Sequence, residues 1–254
     1  MQSLYLLYLD RYHLGDPLFL QGLAKEINQG PPRDCLMVHG SGEKVERTFE
    51  SQGLFPERNH GVLDVESEAD RQLVERAIRE LNQEVVGSLT DEVVSTVGIQ
   101  GSDRGLLRLA PSPDPESSDA DPAAGTVSTG SLVVGRTGWL EALLKQHVIA
   151  VVSALAIDET SRTDREVWTA DAAMSLYEAL QGAFDPTVVF LTTTDQAGLV
   201  DAEGVRETAS PEEVSDLVAE PAAVERMVHA GCSSILTSPS GLWAESVSST
   251  HLRA

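Results

Sequence analysis

Five short, mostly apolar runs constrain what this chain can fold into more than any other feature. They are Leu4 to Leu9, Cys35 to Val38, Val148 to Val152, Thr187 to Leu191 and Ser234 to Thr237. A strand with one wet face alternates apolar and polar residues, whereas an unbroken run is apolar toward both faces. Such runs suit parallel strands buried under helices. Helical spacing separates them. Leu18 to Ile27 sets Leu20, Leu23, Ala24 and Ile27 together, and Ser67 to Val86 puts Leu73, Ala77, Ile78, Leu81 and Val85 on one side. Further helices are expected from Glu43, over Asp91 to Val97, Trp139 to Leu144, Pro211 to Val218 and Ala222 to Ala230, with one more strand or hairpin in Gly241 to Ala254. Strands alternating with helices predict an α/β fold, a three-layer α/β/α sandwich around a mainly parallel open sheet.

Composition narrows the partners. The 254 residues carry 40 Asp+Glu against 18 Lys+Arg, a net charge of −22, and the lysines are only Lys25, Lys44 and Lys145. This surface repels nucleic acid and anionic membrane. The acidic residues are scattered rather than blocked, as in proteins kept soluble at high salt. Cys35 and Cys232 lie far apart without metal-type spacing, so no disulfide framework is implied and both read as small buried residues of a reduced compartment. No basic region precedes the first apolar run, and no run approaches membrane-spanning length, so a cytoplasmic location is expected. Residues 111–130, rich in Pro, Ser, Asp, Ala and Gly, read as a surface excursion without chemistry.

Two stretches carry chemistry. Val38-His39 runs into Gly40-Ser41-Gly42 and then a helix, an arrangement whose backbone amides can close around an anion. Asp171 opens a helix, where a carboxylate is favoured, and the strand after it leads into the polar loop Thr192 to Gly198, where open α/β sheets bind ligands. Each has a plainer use, as a tight turn or a helix cap. Other patterns carry less. His13, His39 and His60 are not spaced as a metal triad, Ser41 lacks the Gly-x-Ser-x-Gly frame of a nucleophile elbow, and Trp139, Trp168 and Trp243 read as packing residues.

The order of these motifs resembles the amino-acid kinase superfamily and, within it, acetylglutamate kinase. The carriers are Val38-His39-Gly40-Ser41-Gly42, Thr96 to Asp103, Gly138 to Ala156, Thr169-Ala170-Asp171-Ala172-Ala173, and Thr194 to Asp201. The resemblance implies an N-terminal lobe for an acyl amino acid and dimerisation (1–156), a C-terminal nucleotide lobe (157–254), one continuous sheet and a homodimer. It also implies ATP and Mg²⁺ as partners and phosphoryl transfer to the side-chain carboxylate of an N-acylglutamate, a step of arginine biosynthesis. By the same resemblance Gly40, Ser41, Gly42 and Thr169 bind the acceptor, Asp171 orients the catalytic cations, and Thr194, Asp195, Gly198 and Leu199 border the nucleotide.

The chain departs from that pattern where the charge should be. Leu7 stands at the family's first lysine, the second belongs near Ala222 or Ala223, and the substrate-binding arginine falls near Leu63. Lys44, two residues past Gly42, and Arg11, in the loop after the first strand, are the expected replacements. Three readings follow: a kinase with altered charge, a catalytically impaired relative that binds a ligand or partner, and a structural subunit.

Overall fold

The computed structural model describes residues 1–59, 61–65, 67–111, 130–202 and 204–254. Strand β1 (Gln2–Leu9) buries Leu4, Leu6, Leu7, Tyr8 and Leu9. Asp10 ends it and caps the one-turn helix α1 (Arg11–Leu14), accepting from the His13 amide. Helix α2 (Pro17–Gln29) starts on the Asp16 cap with Pro17 in its first turn, where no N–H is needed. The fully buried β2 (Cys35–His39) leads to α3 (Glu43–Ser51), a hairpin of β3 (Arg58–Asn59) and β4 (Val62–Leu63), and the long α4 (Glu68–Asp91). Ser67 caps α4, accepting from the Asp70 amide and donating to its carboxylate.

The helix expected over 91–97 is absent. The chain turns through Val93, whose φ is a left-handed 62°, and Thr96 and Val97, both β-branched, extend into β5 (Thr96–Gln100). Strands β6 (Leu107–Pro111) and β7 (Gly130–Val134) pair antiparallel, and the expected excursion between them lies outside the described residues apart from its ends. Then come α5 (Gly138–Leu144), β8 (Ile149–Ser153) and an antiparallel pair that the sequence pattern did not reveal, β9 (Leu155–Asp158) and β10 (Asp164–Glu166). Helix α6 (Thr169–Leu180) and β11 (Phe184–Leu191) follow. Beyond them are the small hairpin β12 (Val200–Asp201) and β13 (Gly204–Val205), and then β14 (Thr208–Ala209). The helix expected at 211–218 is a 3-10 helix, Glu212–Leu217. Helix α7 (Pro221–His229), β15 (Ser234–Thr237), α8 (Pro239–Trp243) and β16 (Thr250–Leu252) close the chain.

Eight strands form one sheet in the order β14-β16-β15-β11-β1-β2-β8-β5, drawn from both halves of the sequence. Within it only β15 and β16 pair antiparallel. One face packs Leu7, Met37, Val151 and Val189 against α2, α4 and α8; the other packs Leu6, Val38, Val152 and Val188 against α5, α6 and α7. This is the expected three-layer α/β/α sandwich. Because β1, β2, β8, β11 and β15 run the same way, their carboxyl ends share one edge, at Asp10, Gly40, Ala154, Thr192 and Ser238. Ligands of open α/β sheets bind at such an edge.

Strand β1 is paired on both sides and dry on both faces, so truncation on either face leaves a cavity. Leu6→Ala and Leu7→Ala are each expected to cost about 2–5 kcal/mol in urea unfolding. A cost under about 1 kcal/mol for either would show that its face is not close-packed.

Candidate functional site

The turn after β2 is held by a set of close contacts. His39 is fully buried; its Nδ1 lies 2.9 Å from the Gly40 carbonyl and its Nε2 3.0 Å from Asn82 Nδ2. The Asn82 amide also donates to the Val151 carbonyl. The ring is therefore satisfied as a neutral imidazole, with Nδ1 donating and Nε2 accepting, and burial lowers its pKa to about 4. Gly40 is required by close approach, since a Cβ there would lie 2.3 Å from Thr169 Oγ1.

The amide of Ser41, where the resemblance places an acceptor carboxylate, is already in use. It donates to Glu166 Oε1 at 2.9 Å. Arg58 closes the other side of Ser41, donating from Nη1 to Ser41 Oγ (3.1 Å) and to the Gly61 carbonyl (2.6 Å). Glu166 Oε2 and Arg58 Nη2 are both enclosed, and neither makes a hydrogen bond among the described residues. Burial pushes the Glu166 carboxyl above its usual range, opposed by Ser41 and by the Arg58 charge. Arg58 is the ladder partner of Leu63, so a guanidinium stands directly across the hairpin from the position where the resemblance expects one.

The end of β1 is acidic. Tyr8 donates to Glu220 Oε2 at 2.6 Å, and the Arg11 amide donates to Glu220 Oε1 at 3.2 Å. Burial and then the Glu220 charge raise the Tyr8 pKa well above its ordinary value. Leu7, at the family lysine's position, is wholly buried beneath α2 and α4. His13 bridges Asp10 (2.8 Å) and the Thr192 carbonyl (3.1 Å), tying this end of the sheet to the loop after β11.

The expected replacement cations are committed elsewhere. Lys44 pairs with Glu84 and lies 4.0 Å from Glu80, on the exposed flank of α3 and α4. Arg11 reaches Glu46 at 3.1 Å, and the same Glu46 oxygen accepts from Arg58 Nε at 2.6 Å. Asp171, in the first turn of α6, pairs with Arg226 of α7 at 3.1 Å. In the loop after β11, Thr192 Oγ1 lies 2.7 Å and 2.8 Å from the carbonyls of Thr194 and Gln196, which share its one proton. Thr194 and Asp195 are exposed, while Gly198 is buried at a φ of 129°, pressed against Thr250, and the Leu199 amide donates to Thr250 Oγ1. The structure thus brings Gly40, Ser41, Gly42 and Thr169 together, sets Asp171 beside Arg226, and places Lys44 apart.

A cavity of about 960 Å³ opens between α6, α7 and the β3–β4 and β6–β7 hairpins, lined in part by Asn59, Glu166, Trp168, Asp171, Arg226 and His229. Among the described residues no group of three or more His, Cys, Asp or Glu is placed to hold a metal ion. No helix among them is long and apolar enough to cross a membrane. The residues at the end of β1 lack the lysine charge that would receive a triphosphate: carboxylates of Asp10, Glu46 and Glu220 gather there with the Arg11 guanidinium and no lysine.

No protein-family model matches the chain. Its sequence is 30% identical to the acetylglutamate kinase of Chloroflexus aurantiacus over 112 residues, 44% of this chain and 43% of that one. It is 22% identical to the acetylglutamate kinase of Chlorobium luteolum over 209 residues, 82% of this chain and 64% of that one. The match therefore spans about half the length of these curated relatives. Among solved structures, N-acetylglutamate synthase from Neisseria gonorrhoeae superposes with a TM-score of 0.68 at 18% identity, covering 100% of this chain and 59% of that one. Aspartate kinase from Synechocystis superposes with a TM-score of 0.61 at 13% identity, covering 100% and 40%. The chain has the amino-acid kinase fold and is similar in sequence to acetylglutamate kinases.

Against the superfamily pattern, the groups that residue spacing did not expose are Arg58, Glu166, Glu220 and Arg226. Arg58 is the ladder partner of Leu63 across the β3–β4 pair, which the sequence pattern does not announce. Arg226 lies one helical turn past Ala222, near which the second lysine is expected, and so faces the same way. Nothing local announces Glu166 or Glu220, because their roles depend on contacts with residues 125 and 212 positions away.

The neutral His39 sets a pH dependence. Its folded pKa, about 4, lies below the unfolded value of 6.5, so its contribution is full above about pH 6.5 and falls as pH drops toward 4. The expected loss is roughly 3 kcal/mol, read as urea stability at pH 7.5 against pH 4.5. His39→Gln should flatten that dependence, and an unchanged slope would assign it to other groups.

Proposed function

We propose that this chain is a ligand-binding member of a phosphotransferase family in which phosphoryl transfer has been lost. It takes a small acid into the cavity between α6 and α7 and acts through that binding on a partner. One observation carries the reading: the carboxylate of Glu220 caps the end of β1, against Tyr8 and the Arg11 amide. Phosphoryl transfer is catalysed by positioning and by positive charge on the transferring group. A carboxylate at that place repels phosphate oxygens, and Leu7 offers nothing in return. Each missing donor costs about 10²–10³ in rate, so two lost without replacement reduce it by about 10⁴–10⁶ where the losses do not overlap.

For binding, Arg226 presents a guanidinium to a cavity that also carries the carboxylates of Glu166, Asp171 and Glu225, and Trp168 and Met174 give it apolar surface. Such a mixture suits a small acid with an apolar or acyl portion.

A second reading, transfer from ATP to an N-acylglutamate carboxylate, is favoured by the Asp171–Arg226 pair. There Arg226 would supply the cation that Asp171 orients. One experiment separates the two. Protein at high salt is given ATP, Mg²⁺ and N-acetylglutamate, ADP release is followed, and N-acetylglutamate binding is measured by calorimetry. The expected result is binding that Arg226→Ala weakens about tenfold, with ADP release no faster than in the control without the acid. Sustained ADP release that depends on the acid and disappears in Arg226→Ala would establish the kinase reading. Absence of N-acetylglutamate binding would remove this acid from consideration and leave the ligand-binding proposal without support.

A further inference from the structure

The anion-binding turn of this protein is closed by one of its own side chains, and that side chain sets what the site accepts. We propose that Glu166 is a specificity-determining residue: its carboxylate takes the place of a ligand carboxylate on the Gly40-Ser41-Gly42 turn. The inference rests on the reading that a small acid enters this site, and it concerns the turn rather than the Arg226 end.

Three observations carry it. First, the Ser41 amide points at Glu166 Oε1 from 2.9 Å, the geometry of an amide holding an anion. A second carboxylate cannot share that amide without bringing two like charges into contact. Second, the opposing charge is supplied from within, since Arg58 holds Ser41 Oγ and anchors itself on Glu46 and the Gly61 carbonyl. Glu166 therefore holds the amide that an incoming acid would need, with the Arg58 charge nearby but not paired to it. Third, the fit is incomplete. Glu166 Oε2 and Arg58 Nη2 are both enclosed and make no hydrogen bond among the described residues. The chain reaches the turn from the end of β10, two residues before Trp168 and the start of α6, so the backbone fixes where the Glu166 carboxylate can go. A free acid has no such restriction and can offer one oxygen to Ser41 and the other to Arg58 Nη2.

The consequence concerns ligand class. In the protein as it stands, a ligand whose reactive or terminal group is a carboxylate is turned away from the turn and held only at the Arg226 end. Removing the Glu166 side chain restores a vacant turn of the size of a small carboxylate.

The test uses propionate, which approximates the removed group, and N-acetylglutamate, each titrated by calorimetry into the full chain without nucleotide. The ionic strength is kept constant with chloride. Glu166→Ala is expected to bind propionate at least tenfold more tightly than the parent, and propionate should raise the thermal midpoint of that variant alone. Glu166→Gln keeps an oxygen for the Ser41 amide but drops the charge, and should bind both acids several-fold more tightly than the parent. If Glu166→Ala fails to fold, the Gln variant decides the matter. Equal affinity of parent and variants for both acids would overturn the proposal. Because this comparison is between the parent and Glu166 variants and uses neither nucleotide nor turnover, it can fail while the proposed function stands, and the reverse.

Discussion

Burial of β1 on both faces governs everything at the functional edge. A strand paired with β2 and β11 and packed against helices above and below can present only its carboxyl end to a ligand. In a phosphotransferase a lysine on such a strand reaches forward from the core toward phosphate. Here Leu7 is sealed at 0% exposure among α2, α4 and α8 residues, where an ammonium group would lack both water and a partner. Core packing and positive charge compete for one position, and packing has won. What remains at the strand's end is set by Tyr8 and Asp10, and both bring in acidic chemistry.

That substitution spreads through the neighbouring electrostatics. With 18 basic residues against 40 acidic ones, few guanidinium or ammonium groups are left over. Arg11 and Arg58 share one oxygen of Glu46, Arg226 is matched by Asp171, and Lys44 is drawn outward by Glu80 and Glu84. Partly exposed pairs of this kind add little stability, about 0–1 kcal/mol each, but they fix where the side chains point. Excess acid therefore shapes the site indirectly, by supplying a carboxylate partner to every cation that could have faced a phosphate.

The layout of the fold was legible because unbroken apolar runs allow few structures other than buried parallel strands. Cys35–His39, Ile149–Ser153 and Ser234–Thr237 became strands near their expected bounds. The expected helix at 91–97 failed for a local reason: Thr96 and Val97 match a strand at least as well as a helix, and the turn at Val93 gives no composition signal. The candidate site was legible only where backbone makes it. Gly40-Ser41-Gly42 could be read because a tight turn between strand and helix needs glycine. Glu166 and Glu220 act through side chains that meet residues 125 and 212 positions away, and spacing along the chain carries no trace of such meetings.

The hairpin at Arg58 and the helix at Arg226 share a physical logic. In each, the position expected to be basic holds an apolar residue, Leu63 or the Ala222–Ala223 pair, and a guanidinium stands at a geometrically equivalent place. Arg58 is equivalent across an antiparallel rung, where paired residues project to the same face. Arg226 is equivalent along one turn of helix. Such displacements keep the sign of the local field while changing its reach, because a guanidinium is longer than the residue it stands beside and offers a planar fork rather than a point charge. A site rebuilt in this way can still orient a carboxylate, which needs directed donors. It is poorly suited to a transferring phosphoryl group, which needs charge from several sides at once, and the carboxylates at the end of β1 hold one of those sides.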